Sequence, residues 1–281
     1  MDVLRLGTAD EMLTRAGNQL RAAGAEGELT LGILGRLTHE PDAWGSKVSL
    51  LLGTDDGVPV AVVSQTGSHP ALIVGFGDGE GVDYAALAAA LIDDHRPEAV
   101  NGAVRWVEPF AQAWVDAGAG LVLQREMRAF ELRAVRPPRQ PEGTCRPAGD
   151  EERELMEGWV IAFGDDVGVP VAPDQAHGTV SRLLRSRDLW IWERDGRIVS
   201  MAGITRRTDW SSNVALVYTP AEERGNGYAS AVVAHISQLE LDAGQDWCAL
   251  FTDIANPTSN HIYAEIGYEP RCDFHLYGLE W

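Results

Sequence analysis

A proline-rich segment near the middle of the chain places the strongest constraint on the fold. Residues 136–143 read Arg-Pro-Pro-Arg-Gln-Pro-Glu-Gly, with three prolines within five positions. Proline lacks a backbone N–H and has a fixed φ, so this segment can neither continue a helix nor donate to a strand ladder. We therefore expect an extended linker over 136–143 between two domains, 1–135 and 144–281, each of ordinary domain length.

Both halves show the same predicted order of elements. Each begins with two helical patterns, continues with a hairpin and a strand, and ends with a glycine-containing turn, helix, strand, helix and closing strand. Asp56-Gly57 and Asp195-Gly196 each separate two apolar runs, which is the pattern of a two-residue hairpin turn. The matching order predicts a duplicated α/β fold. Two unrelated α/β domains are the alternative.

Composition excludes several classes of protein. Hydrophobic residues make up 45% of the chain and charged residues 23%, so a core can form and a disordered chain is not expected. The net charge of −19 argues against nucleic acid and against anionic membranes as partners. No apolar run reaches the length of about 18 residues typical of a membrane span, and the N-terminus lacks the pattern of a signal peptide. We expect a soluble, cytoplasmic protein.

Neither cysteine nor histidine spacing suggests a metal centre. The chain has three cysteines, Cys145, Cys248 and Cys272, without CxxC spacing, and its seven histidines form no HxxxH pair. An odd number of cysteines without a repeat is also unlike a disulfide scaffold. We expect no bound metal.

One segment combines a strand, a glycine-rich turn and a helix. The apolar run at 214–218 leads through Arg224-Gly225-Asn226-Gly227 into a helical pattern. Glycines in such a turn let successive N–H groups face one concavity, and the helix adds free N–H groups and its positive dipole end. This arrangement suits a phosphate or pyrophosphate. Neither of the two common phosphate-loop patterns is present.

Two motifs resemble those of the GNAT N-acetyltransferase superfamily. Arg224, Gly227 and Ala229 fit its coenzyme A loop, which is Arg or Gln, two residues, Gly, one residue, then Gly or Ala. About thirty residues later, Asn256 begins a loop and Tyr263 follows seven positions on, as in the second cofactor segment of that superfamily. The resemblance covers 144–281, whereas 1–135 matches in element order only. It implies a tandem protein with two GNAT-like domains, each a central mixed, mainly antiparallel sheet flanked by helices (α+β).

The resemblance also implies a cofactor and a set of site residues. Acetyl-CoA would be the acyl donor, lying between two splayed central strands. The residues implied to bind it are Val217, Tyr218, Thr219, Arg224, Gly225, Asn226, Gly227, Tyr228, Ala229, Asn256 and Ser259. Arg224 is expected to support the turn through its own contacts.

Tyr263 and Asp253 are the predicted catalytic residues. A phenol at position 263 would protonate the departing thiolate, and strand amides would hold the developing oxyanion. Many members carry a carboxylate on the strand before the loop, but residues 211–218 have none. Asp253 or water is therefore favoured as general base ahead of His261.

The N-terminal half is predicted to be a degenerate, non-catalytic copy. The equivalent turn, residues 75–81, lacks the arginine and carries Asp78 and Glu80, which would repel a pyrophosphate.

Four tryptophans of the C-terminal half lie in or near elements that would line the side of the cleft where the acceptor binds, namely Trp159, Trp190, Trp192 and Trp210. Aromatic rings with acidic groups would suit a cationic amine. The alternative is that the acidity only maintains solubility.

The leading hypothesis is an N-acetyltransferase that acts by direct attack of an amine on acetyl-CoA. The acceptor would be a small molecule or a peptide, and the protein a monomer or homodimer. A CoA-binding regulatory or interaction module that has lost activity is the second hypothesis. Transfer of the acyl group to an oxygen or a thiol is the third.

Overall fold

The computed structural model describes residues 1–41, 45, 47–92 and 96–281. The first part of the chain contains β1 (Asp2–Arg5), α1 (Ala9–Ala22), α2 (Ala25–His39), β2 (Val48–Asp55), β3 (Val58–Thr66), β4 (Ala71–Gly75), α3 (Tyr84–Ile92), β5 (Ala99–Ala103), α4 (Val104–Asp116) and β6 (Gly120–Leu132). The second contains β7 (Thr144–Pro147), α5 (Arg153–Asp166), α6 (Pro173–Ser186), β8 (Leu189–Arg194), β9 (Arg197–Arg207), β10 (Ser211–Tyr218), α7 (Tyr228–Asp242), β11 (Trp247–Asp253), α8 (Pro257–Ile266) and β12 (Glu269–Glu280). Among the described residues, no helix combines the length and apolarity needed to cross a membrane.

The chain forms two compact units. Unit 1 comprises Met1–Ala129, Asp253–Ala255 and Pro270–Trp281, and unit 2 comprises Phe130–Thr252 and Asn256–Glu269. The grouping differs from the predicted boundaries at the C-terminus, because the last strand was expected within 144–281. Its residues Phe274–Gly278 pair with β5 of unit 1, and these long-range hydrogen bonds decide where the strand packs.

Unit 1 contains a mixed, mainly antiparallel sheet. Its strands follow the order β1-β2-β3-β4-β5-β12-β6; the β4–β5 pair is parallel, and the β1–β2, β2–β3, β3–β4 and β5–β12 pairs are antiparallel. The predicted hairpin around Asp56-Gly57 is confirmed, with β2 and β3 on either side. Asp56 and Gly57 both adopt positive φ, as a type I′ turn requires.

Unit 2 repeats this plan. Its strands follow the order β11-β10-β9-β8-β7, with β10–β11 parallel and the other neighbours antiparallel. The hairpin around Asp195-Gly196 is also confirmed. Helices flank the strands of both units, so the predicted fold class, a mixed sheet with flanking helices, is confirmed.

Two apolar clusters fill unit 2, one on each face of its sheet. One cluster joins strand residues to α7 and α8, and includes Tyr228 and Tyr263. The other joins strand residues to α5 and α6, and includes Met156 and Val180. Successive residues of a strand point to opposite faces, so neighbouring positions of one strand contribute to different clusters.

Candidate functional site

The two parallel strands of unit 2 separate after a short paired stretch. Ser211, Ser212 and Asn213 lie opposite Trp247, Cys248 and Ala249. Both strands are fully described, and both continue, β10 to Tyr218 and β11 to Asp253, with no further paired positions between them. The separation leaves the second half of β10 without a neighbour on that side. This is the splay that the sequence resemblance implied.

A bulge bends β10 where the strands separate. The register with β9 shifts between Ala215 and Tyr218, and Leu216 has a φ of 54°. Positive φ is costly for leucine, and such strain persists only where the surrounding structure imposes it. A bulge also leaves its extra residue out of the ladder. Leu216 and Val217 accordingly have no paired partner in the register between β10 and β9.

The end of β10 presents side chains to both faces of the sheet. Val217 packs against the cluster with α7 and α8, which contains Tyr263. Leu216 and Tyr218 pack against the cluster with α5 and α6. A molecule lying in the splay would therefore contact elements of both faces.

The glycine-rich turn forms an open cradle at the start of α7. Gly225 and Gly227 have φ values of 79° and 83°, in the region that favours glycine. Within the described parts of the chain no side chain caps the helix, so the N–H groups of its first turn have no side-chain acceptor there. A Cβ at Gly225 would meet no atom within 4 Å, and one at Gly227 only the Arg139 carbonyl oxygen at 3.9 Å. The residues present therefore fit a pyrophosphate.

Arg224 holds this cradle in place. Its Nε donates to the Thr219 carbonyl oxygen at 2.9 Å, and its Nη2 donates to Asp166 Oδ2 at 2.5 Å. Asn226 adds a hydrogen bond from Nδ2 to the Glu223 carbonyl oxygen at 3.0 Å. These contacts match the expectation that Arg224 supports the turn, and they link the loop to the C-terminal end of α5.

Substitutions of Arg224 and Asp166 test this bracing role. We expect Arg224→Ala to raise the Kd for acetyl-CoA about three- to tenfold, because two hydrogen bonds that shape the loop are lost. Asp166→Ala removes one of them and should raise Kd about threefold, measured by isothermal titration calorimetry. Tighter binding by Asp166→Ala would contradict the role, since it would mean that the freed guanidinium contacts the phosphates directly.

The Tyr228 side chain is engaged away from the cradle, and the predicted contact of its backbone N–H with a cofactor stays a prediction. Its ring is buried at 2% exposure, and its hydroxyl accepts a hydrogen bond from Arg194 Nη1 at 2.9 Å. Arg194 Nη2 also donates to Glu142 Oε2 at 3.0 Å. Only the backbone of Tyr228 is thus available to the cradle. Sequence reasoning missed Arg194, whose separation of 34 positions from Tyr228 carries no local signal.

The second predicted segment forms the start of α8. Asn256 Oδ1 accepts a hydrogen bond from the Ser259 N–H at 3.0 Å, so this side chain caps the helix. The Asn256 amide group is exposed. The structure thus pairs Asn256 and Ser259 with each other, and their contact with a cofactor stays a prediction.

Tyr263 is a buried ring with an unbonded hydroxyl. The ring centroid lies 6.4 Å from that of Phe130 and 6.0 Å from that of Tyr268. Among the described residues, no group forms a hydrogen bond with its hydroxyl. The hydroxyl oxygen is also not completely buried. Burial raises the pKa of the Tyr263 phenol, so it is protonated at neutral pH. A protonated phenol is the form that a general acid needs.

The candidates for the general base are all exposed. Asp253 ends β11, and its Oδ1 accepts a hydrogen bond from the Ala255 N–H at 2.7 Å. It belongs to unit 1 and Tyr263 to unit 2, so their joint action stays a prediction. His261 lies on α8, with Nε2 3.4 Å from Glu265 Oε1.

In unit 1 the turn equivalent to the cradle is packed on a tryptophan at Gly75 and Gly79, whereas Gly77 is open. β4 and β5 pair in parallel, as β10 and β11 do, but the Trp106 indole lies against the turn that follows β4. A Cβ at Gly75 would come within 2.5 Å of the Trp106 ring, and one at Gly79 within 2.7 Å. The indole is 2% exposed, and its Nε1 donates to Glu26 Oε2 at 2.7 Å. This turn therefore packs on a side chain.

Comparison with known proteins supports the same fold. The model of the FR47-like protein family matches residues 193–276, which contain β10, the cradle and α8. A GCN5-related N-acetyltransferase from Sphaerobacter thermophilus is similar in structure, with a TM-score of 0.66, 15% identity, and coverage of 98% of this chain and 94% of that one. A GNAT-family acetyltransferase from Colwellia psychrerythraea has a TM-score of 0.58 and 11% identity, with both chains fully covered.

A tandem protein is also among the similar structures. The tandem GNAT protein from the clavulanic acid biosynthesis pathway has a TM-score of 0.58 and 14% identity, and covers 98% of this chain and 97% of its own. No curated protein sequence matches the chain. At these identities the likeness establishes the fold, and the resemblance to the GNAT superfamily is confirmed at that level.

Proposed function

We propose that this chain, which has the GNAT fold, transfers an acetyl group from acetyl-CoA to a primary amine of a small molecule or peptide. The observation that carries the proposal is the open cradle at the start of α7, next to the splayed end of β10. Acyl transfer in general is what the fold supports. The donor, the amine and the direct mechanism are the proposed refinements.

Unit 2 is the proposed location of the reaction. The N–H groups from Gly225 to Ala229 would hold the pyrophosphate, and the backbone of Val217, Tyr218 and Thr219 would hold the pantetheine and acyl portion. Asn256 would bind from α8. Unit 1 lacks an open cradle, because Trp106 packs against the equivalent turn.

The proposed chemistry needs three groups. The donor supplies a thioester whose carbonyl carbon is attacked by the neutral amine of the acceptor. Backbone N–H groups of β10 at the bulge around Leu216 would stabilise the oxyanion that develops. The Tyr263 phenol would give a proton to the departing thiolate, and Asp253 or water would accept the proton of the amine.

Direct attack is favoured over a cysteine-bound intermediate. Burial raises the pKa of the Cys145, Cys248 and Cys272 thiols to about 12. The nucleophile in such chemistry is the thiolate, which would be scarce at neutral pH for all three. No cysteine of the chain is therefore suited to carry the acyl group.

A CoA-binding regulatory module is the second candidate. It is favoured by one observation: β10 carries no carboxylate, and the nearby Asp166 is engaged by Arg224. Such a module would bind acetyl-CoA through the same cradle but would not release the thiol when amines are added.

Thiol release with a panel of primary amines separates these candidates. We expect CoA to be released from acetyl-CoA only when an amine is present. The product should be about 42 Da heavier than the amine, because an acetyl group replaces one hydrogen. Binding of acetyl-CoA without release for any amine would favour the regulatory module. Absence of both binding and release would exclude both candidates.

A further inference from the structure

An aromatic pair lies at the end of β10, on the face of the sheet that carries α5 and α6. The rings of Trp159 and Tyr218 have centroids 5.6 Å apart and are inclined by 55°. Both side chains are half-buried, and both pack against the apolar cluster behind them. Trp159 belongs to α5, and Tyr218 lies two residues beyond the strained Leu216. The pair therefore borders the splay.

The Tyr218 hydroxyl is available to a ligand. Among the described residues, no group forms a hydrogen bond with it, and its oxygen is not completely buried. Burial first, and then the charges of Asp166 and Glu222, raise the pKa of this phenol, while Arg224 opposes the rise. Glu222 follows Tyr218 by four positions in the chain.

The local charge around the pair is negative. Asp166 is neutralised by Arg224, to which it is bonded at 2.5 Å. Glu222 is exposed and has no ion-pair partner within the described parts of the chain. Arg197 is paired with the neighbouring Glu223 and not with Glu222. The site thus combines two aromatic rings with one uncompensated carboxylate.

Two of the other predicted tryptophans are arranged differently. Trp192 is 4% exposed, and its Nε1 donates to the Glu142 carbonyl oxygen at 3.1 Å. Trp190 packs with the cluster of α7 and α8, and its ring lies 5.6 Å from that of His235. Trp159 therefore stands apart from these two in facing the splay together with a second aromatic ring and a free carboxylate.

We propose that Trp159 and Tyr218 bind a cationic group of the acceptor, a second group besides the amine that reacts. Rings and a carboxylate attract a cation, but the attacking amine must be neutral. The bound cation and the nucleophile are therefore different groups. The acceptor class is an amine with a separate positive charge, such as a diamine or an amine with a quaternary ammonium or guanidinium group. This inference rests on the proposed function.

Two probes of equal shape test the charge preference. Choline carries a positively charged quaternary nitrogen, and 3,3-dimethylbutan-1-ol has an uncharged carbon atom in the same position. In titration calorimetry with acetyl-CoA present, we expect the unaltered protein to bind choline about tenfold more tightly than the neutral alcohol. Trp159→Leu should abolish this preference, Trp159→Phe should keep part of it, and Glu222→Gln should reduce it about threefold.

The controls distinguish failure of this inference from failure of the proposed function. Trp190→Leu, the matched substitution away from the pair, should keep the full preference. Equal binding of the two probes by a protein that binds acetyl-CoA would overturn the inference and leave the proposed function standing. A preference that survives in Trp159→Leu would overturn the assignment to this ring. A protein that does not bind acetyl-CoA would exclude both proposals.

Discussion

Replacing Tyr263 with phenylalanine should lower kcat by about 10²- to 10⁴-fold, the range typical of a lost general acid. The ring packing on Phe130 and Tyr268 would be kept, and the hydroxyl has no hydrogen bond to lose among the described residues. We therefore expect the melting temperature and the Kd for acetyl-CoA to change little. Steady-state kinetics with a reactive amine, alongside titration calorimetry, measures the three quantities.

The raised pKa of Tyr263 also predicts how kcat depends on pH. Burial raises the pKa of Tyr263, so its proton-donating form persists from neutral pH into the alkaline range. The unaltered enzyme should show no fall in kcat between pH 7 and about 9.5 from loss of this proton. Full turnover by Tyr263→Phe across this range would show that another group protonates the thiolate.

The neighbouring tyrosine supplies a matched control. Tyr268 is also buried, and its hydroxyl is hydrogen-bonded to Ser237 Oγ at 2.8 Å. Tyr268→Phe should therefore lower the free energy of unfolding by about 1 kcal/mol and leave kcat within about twofold. The two substitutions should thus give opposite patterns of stability and rate.

Replacing Gly227 with valine should weaken acetyl-CoA binding at least about a hundredfold. Gly227 lies directly before α7 with a φ of 83°, where a β-branched residue is strained. The added side chain would extend into the open concavity, because only the Arg139 carbonyl oxygen lies near its Cβ position. Titration calorimetry with acetyl-CoA measures the loss.

Gly118 allows the effect of strain alone to be measured. It has a φ of 99° and no atom within 4 Å of its Cβ position, but it belongs to unit 1. Gly118→Val and Gly227→Val should both lower the free energy of unfolding by about 1–2 kcal/mol. Only Gly227→Val should lose binding. Unchanged affinity in Gly227→Val would mean that the cradle does not hold the donor.

Local signals in the sequence predicted much of the fold. Asp56-Gly57 and Asp195-Gly196 mark two-residue turns because both positions need positive φ, and the structure confirms both hairpins. Gly225 and Gly227 mark the cradle for the same conformational reason. Such features depend on a few adjacent residues, so they are visible in one sequence.

Features set by distant contacts were not predictable. Leu216 gives no local sign of its positive φ, which the bulge against β9 imposes. The Trp106 indole packs against Gly75 and Gly79 from a different element. Because this contact joins separate segments, the sequence around the turn of unit 1 did not predict it. The pairing of β12 with β5 likewise joins segments far apart in the chain, and it decides which unit contains the last strand.

The most direct test of the central claim is a calorimetric titration of the unaltered chain with acetyl-CoA. We expect saturable binding with one molecule per chain, because the cradle of unit 2 is open and the equivalent turn of unit 1 is packed on Trp106. At a hundredfold excess over Kd, the ligand should add about 2.7 kcal/mol to the free energy of unfolding. Two bound molecules per chain, or none at millimolar acetyl-CoA, would contradict the claim.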